Sequence, residues 1–153
     1  MKNSQKTTLT LSEIYALEAE LNGLSNTQTG EVLIKGLLNQ PLSIKTKYWL
    51  TRLRDTVSSE KKSIDDLRNE LIKKYGEEDK EGNFSIPMFL DKDSKERNPK
   101  FEEFNKELEE LLNTEKELEH AIFGIELFDS LETEENYGVF FKLISVEDAA
   151  ATA

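Results

Sequence analysis

The chain has 153 residues, 37% hydrophobic and 33% charged, with a formal net charge of −11, a composition that supplies enough apolar side chains for a core. It has no cysteine, which excludes a disulfide framework, a thiolate metal site and a Cys nucleophile. Its acid excess lies in residues 101–153, with three Lys/Arg against fifteen Asp/Glu; such a surface repels nucleic-acid phosphates and anionic membranes and attracts basic partners.

"MKNSQKTTLTL" has no long apolar run, so no signal peptide is expected. No stretch reaches about 18 apolar residues, so no membrane span is expected either. The Thr/Leu alternation over 7–11 suits a short strand. Thr10 and Glu13 have capping-box spacing, and Ile14, Leu17, Leu21 and Leu24 recur at helical intervals; Gly23 supplies the stop. In "SNTQTGEVLIKGLLNQP" the apolar residues Val32 to Leu38 fit a short helix or a buried strand, and helix is the favoured reading.

Residues 43–75 form the clearest element. Ser43 is a good N-cap, and Ile44, Tyr48, Leu53, Val57, Ile64, Leu67, Leu71 and Tyr75 make an apolar stripe without an intervening Gly or Pro. This predicts one amphipathic helix roughly 50 Å long, weakest at "TVSS" (56–59). Gly76 ends it and "EEDKEGN" turns the chain. Phe84, Ile86, Met88 and Leu90 alternate, as in an edge strand limited by Pro87. Asn98 and Pro99 then open a helix with the stripe Phe101, Phe104, Leu108, Leu111 and Leu112. That helix ends near Asn113 or continues through "NTEKELEHAI" to Ile122. "FGIELFDSLE" and "YGVFFKLI" look strand-like.

The expected architecture is a single domain, 1–153, with a frayed tail over 145–153. It is mainly α: an antiparallel long-helix hairpin with an extra N-terminal helix and short β segments in the connection and C-terminal region.

Few residues point to chemistry. "DKDSKERNPKFE" places Asp91, Asp93 and Glu102 at positions 1, 3 and 12 of a calcium loop. Lys95 at position 5, Glu96 where Gly is required and Pro99 at position 9 defeat it. Asp79, Glu81 and Asn83 offer three oxygens without a closing bidentate carboxylate. His120 is the only histidine and stands without a nucleophile elbow or further zinc ligands; it is expected to be partly exposed. No catalytic residue, metal or cofactor is therefore expected. The candidate protein-interaction residues are Tyr48, Trp49, Arg52 and Arg54, an aromatic–basic mix of the kind that anchors interfaces. The carboxylates Glu103, Glu107 and Glu110 join them as an acidic row.

"LIKKYGEEDKEGNF" followed by "FEEFNKELEELLNTEKELE" resembles a family of small acidic domains of unknown function encoded by tailed bacteriophages. The likeness covers residues 44–120: a helix ending in Lys-Tyr-Gly, an acidic turn with Gly, and a Phe-x-x-Phe helix ending in Leu-Leu-Asn. It implies a phage setting with no transferable enzymology. The expected function is a non-enzymatic virion or assembly component (capsid, neck or tail) acting by helix-mediated contact with other phage subunits or with itself. The alternative is an acidic inhibitor of a host defence or nucleic-acid-binding protein. Either places the chain in the virion or the cytoplasm of the infected host, without membrane or direct nucleic-acid contact.

Overall fold

The computed structural model describes residues 4–91, 95–133 and 135–145. The chain divides into two compact units, one formed by residues 1–61 and 115–153, the other by 62–114.

The first unit opens with strand β1 (Ser4–Thr10) and helix α1 (Leu11–Asn22). The Thr10/Glu13 capping box is present: the Glu13 N–H donates to Thr10 Oγ1 at 3.2 Å, and the Thr10 N–H donates to Glu13 Oε1 at 3.0 Å. Gly23 ends α1 at φ +90°, with its N–H on Ala19 O. A β-carbon on Gly36 would lie within 2.5 Å of backbone atoms of Leu21, Asn22 and Gly23, so only glycine lets these two segments touch.

That close approach is one reason the helix expected over Val32–Leu38 does not form. Val32–Ile34 is instead β3, paired antiparallel with β2 (Leu24–Ser25), and Leu37–Asn39 is a single 3₁₀ turn. Helix α2 (Ile44–Tyr75) then crosses from this unit into the second. Its core residues in the first unit are Leu50, Leu53 and Val57. Of the expected stripe Leu53, Val57 and Ile64 are buried, whereas Ile44 and Tyr48 are exposed; Tyr48 lies about 160° around the helix from the buried Leu50.

Helix dominates the described residues, but the expected antiparallel long-helix hairpin is not what forms, and four two-stranded sheets accompany the helices. The fold is α+β, and the main pairing of the first unit is β1 against β6 (Glu115–Ala121), antiparallel from Ser4 opposite Ala121 to Thr10 opposite Glu115. "EKELEHA" is built of helix formers, yet Leu118 and His120 are buried while Glu117 and Glu119 are exposed. That period of two, matched to the Thr-rich β1, outweighs a helix preference of only a few tenths of a kcal/mol per residue. On the outer face Lys6 stands opposite Glu119 but pairs diagonally with Glu117 at 3.9 Å, while Glu119 accepts the Ser4 hydroxyl at 3.0 Å.

After β6 come β7 (Phe123–Gly124), a 3₁₀ segment Ile125–Ser130, helix α4 (Gly138–Phe141) and β8 (Ile144–Ser145), which pairs parallel with β7. The two strand-like apolar segments of the sequence are thus mostly helical. The reason for α4 lies far away in the chain. The buried carboxylate of Glu20 accepts the N–H groups of Val139 and Phe140 at 3.1 and 2.9 Å and fixes the first turn. Burial pushes the Glu20 carboxyl up from its ordinary value, against the pull of those two bonds. Phe140 fills the core between Phe123 and Phe128, with ring centroids 5.3 and 6.2 Å away.

The second unit contains the last turns of α2, a hairpin of β4 (Glu77–Glu78) with β5 (Phe84–Ser85), and helix α3 (Pro99–Leu112). The alternation over 84–90 yields only the two-residue strand. Past Pro87 the chain is tied to the start of α3: Asn98 caps the helix through Lys100 N, donates from Nδ2 to Pro87 O at 2.9 Å, and donates its own N–H to Met88 O. Among the described residues of this unit only Ile64 and Asn98 are buried. The α3 stripe from Phe101 to Leu112 is half-buried throughout. Asp93 of the calcium-loop pattern and most of the 145–153 tail lie outside the described residues. Glu102 pairs with Arg97, and Asp79 Oδ1 accepts the N–H groups of Glu81 and Asn83, closing the turn.

Candidate functional site

A cleft of about 640 Å³ lies at the start of α2 in the first unit, within the span of about 300–1,000 Å³ that ligand pockets occupy. Ser43 sets one wall. Its Oγ accepts the Thr46 N–H at 3.2 Å and starts the helix, which carries Lys45, Thr46 and Trp49 into the lining. The opposite wall is the chain leaving β6, with Ile122, Phe123, Gly124, Glu126 and Leu127. The Glu126 carboxylate folds so closely over Gly124 that a β-carbon there would collide with it.

Trp49 is 40% exposed, about 100° around α2 from Leu50, at the margin between core and surface. Tyr48 beside it is exposed and meets the indole edge-on, with centroids 4.9 Å apart at 80°. Residues 44–54 hold four cations and no acid. Arg54 pairs with the adjacent Asp55 at 3.2 Å, whereas Lys45, Lys47 and Arg52 have no ion pair among the described residues. The site therefore combines an exposed indole with walls of mixed polarity, in which Lys45 and the Glu126 carboxylate both take part.

The acidic candidates belong to the second unit. Glu103 and Glu110 are exposed. Glu107 accepts the Tyr75 hydroxyl and Lys74 Nζ, the latter at 3.2 Å, and these two bonds hold its carboxyl below the usual range. The row of three is thus interrupted by an internal contact. The sequence singled out Trp49 but missed the wall it faces. Ile122, Gly124 and Leu127 are brought there by the β6–β7 connection, some seventy or more positions away in the chain, and carry no local signal.

His120 is not the partly exposed residue expected. It is 5% exposed, on β6, stacked 6.0 Å from Phe123 behind the cleft wall. Its Nδ1 lies 2.7 Å from Ala121 O and its Nε2 2.8 Å from Thr7 Oγ1. A carbonyl only accepts, so Nδ1 carries the proton and Nε2 accepts from the Thr7 hydroxyl. Burial lowers its pKa, opposed by the bond to Ala121. As pH falls below about 6.5 the unfolded chain takes a proton that the folded imidazole refuses. Stability gained above that pH should then be lost towards the folded pKa. Urea midpoints between pH 7.5 and 5.5 should fall for the wild type and fall less for His120→Leu; equal slopes would refute the buried neutral ring. Glu13, Glu107 and Glu132, held low by their partners, destabilise in the same direction only at more acidic pH. Glu20, raised by burial, acts in the opposite sense.

Among the described residues no group of three or more His, Asp or Glu is placed to hold a metal ion, and no helix is long and apolar enough to cross a membrane. No family model, curated protein or solved structure matches the chain.

Proposed function

We propose that this is a non-enzymatic bacteriophage protein, a virion-associated or assembly component of capsid, neck or tail, that works by helix-mediated contact with other protein subunits. The observation that carries the reading is the start of α2, where Tyr48 and Trp49 stand exposed beside a cleft of mixed polarity, with Lys45, Lys47 and Arg52 close by in the same helix. Aromatic and Arg side chains at the mouth of a pocket are the typical anchors of protein interfaces. The phage setting rests on the likeness of residues 44–120 to a phage-encoded family. The non-enzymatic reading is supported by His120, whose two ring nitrogens are both committed inside the fold. The alternative of an acidic inhibitor retains the exposed Glu103 and Glu110 but loses Glu107 to its bonds with Lys74 and Tyr75.

The test is mass spectrometry of purified particles from an infection with wild-type phage and with phage carrying Trp49→Ala/Arg52→Glu. The wild-type chain should be present at a fixed ratio to the major capsid protein, and the variant should be depleted about tenfold or more, as expected for loss of an interface anchor. Particles devoid of the wild-type chain would overturn the reading.

A further inference from the structure

Asn22 and Gly23 form the only Asn-Gly step in the chain. Helix α1 ends here because Gly23 takes φ +90°, a conformation that other residues rarely adopt. The same lack of a side chain gives the Gly23 nitrogen the least hindered approach to the Asn22 side-chain carbonyl, which is how a spontaneous ring closure begins. In the folded chain each group that this reaction needs is held elsewhere. The Gly23 N–H donates to Ala19 O at 2.7 Å. Asn22 Nδ2, the nitrogen that would leave, donates to Glu18 Oε1 at 2.6 Å. The Asn22 main-chain carbonyl accepts Asn39 Nδ2 at 3.3 Å. The backbone of Gly36 closes the site: a β-carbon on Gly36 would stand 2.4 Å from the Asn22 carbonyl carbon and 2.5 Å from the Gly23 nitrogen.

The chain that follows is thinly held. β2 and β3 are two and three residues long, and Leu24, Val32 and Leu33 are exposed. Short pairings with few buried side chains open locally well before a core does.

We infer that Asn22 is a site of spontaneous deamidation that the fold keeps closed, and that a chain modified during an opening cannot restore the contact with Gly36. In the open segment the Gly23 nitrogen attacks Asn22 Cγ. Its proton passes through solvent to the amide nitrogen, the Cγ–Nδ2 bond breaks, and ammonia leaves. Water then opens the ring at either carbonyl. Opening at Cγ gives aspartate, and opening at the main-chain carbonyl gives isoaspartate. Water is the sole co-reactant. Aspartate replaces the donor to Glu18 with a second carboxylate, at the end of α1 where negative charge is unfavourable. Isoaspartate routes the main chain through Cβ and Cγ, and the added backbone atom has no room against Gly36.

The experiment ages the full chain at neutral pH, folded and in denaturing urea. Mass spectrometry of the tryptic peptide 7–35 registers –OH in place of –NH2, and fragmentation separates Asn22 from Asn26. In urea Asn22 should convert faster than Asn26, whose follower Thr27 is branched at its β-carbon. In the folded chain Asn22 should convert at least about tenfold more slowly than in urea, in proportion to the time it spends open. Gly36→Ala, which cannot keep the contact, should bring the rate in buffer most of the way to the urea rate, whether it opens this end alone or unfolds the chain. The deamidated fraction of urea-aged wild type, separated by ion exchange and returned to buffer, should have a lower urea midpoint than the unmodified fraction. Equal rates in buffer and urea, no conversion of Asn22 in urea, a Gly36→Ala rate as slow as wild type, or a deamidated chain with an unchanged midpoint would each overturn the inference.

Discussion

Phe140→Ala should lower the unfolding free energy by about 3–5 kcal/mol, a large share of the roughly 5–15 kcal/mol that a domain possesses. The ring is wholly buried and is the largest fully buried side chain among the described residues, held between Phe123 and Phe128. Removing it costs both the transfer of its apolar surface and the cavity left among rings that cannot close over it. The neighbouring Phe141 provides the control. It is 52% exposed and stacks only on Phe128, 6.0 Å away, so Phe141→Ala should cost about 1 kcal/mol or less. Urea denaturation of both variants at pH 7 checks the pair. Equal losses would show that α4 does not present the face described.

Gln40→Leu should cost about 2–4 kcal/mol, although it replaces a polar side chain in the interior with an apolar one of similar size. Gln40 has no exposed surface. Its Oε1 accepts the Glu132 N–H at 2.9 Å, and its Nε2 lies within bonding distance of the Thr133 carbonyl, Thr133 Oγ1 and Tyr137 hydroxyl. Tyr137 in turn donates to Lys35 O. Leucine would strand the Glu132 N–H and remove the donor shared by Thr133 and Tyr137. Gln40→Glu makes a sharper comparison. It keeps the acceptor for Glu132 but sets a carboxylate against the Thr133 carbonyl. Its loss should match that of Leu at pH 7 and shrink on acidification, as the acid protonates and regains a donor. Thermal denaturation at pH 7 and pH 5 separates the two variants.

The elements with local punctuation were legible in the sequence. The Thr10/Glu13 box, Gly23, Ser43, Gly76 and the Asn98-Pro99 pair mark helix ends through the backbone groups they satisfy or remove, and the helices begin and end there. What failed was every feature set by a distant partner. "EKELEHA" is a strand because β1 pairs with it. Gly138–Phe141 is helical because Glu20 caps it. Val32–Ile34 is extended because Gly36 must reach the end of α1. The candidate site divides in the same way. Trp49 and its cations stood out as an unusual local composition, while the opposite wall of the cleft and the committed Glu107 depended on contacts that no periodicity encodes.

The register of β1 against β6 also orders events during synthesis. Ser4 lies opposite Ala121 and Thr10 opposite Glu115, so the first strand leaves the ribosome more than a hundred residues before its partner exists. At about 5–20 residues per second that delay lasts several seconds, far longer than a helix or hairpin needs to form. Residues 62–114 are complete before the first residue of β6 is added. Closing the first unit is therefore a late, long-range step with a high loop-closure cost. Until it happens Leu9, Ile14 and Leu17 lack the covering that β6 and α4 give them, and the nascent chain is most open to aggregation and proteolysis in that interval.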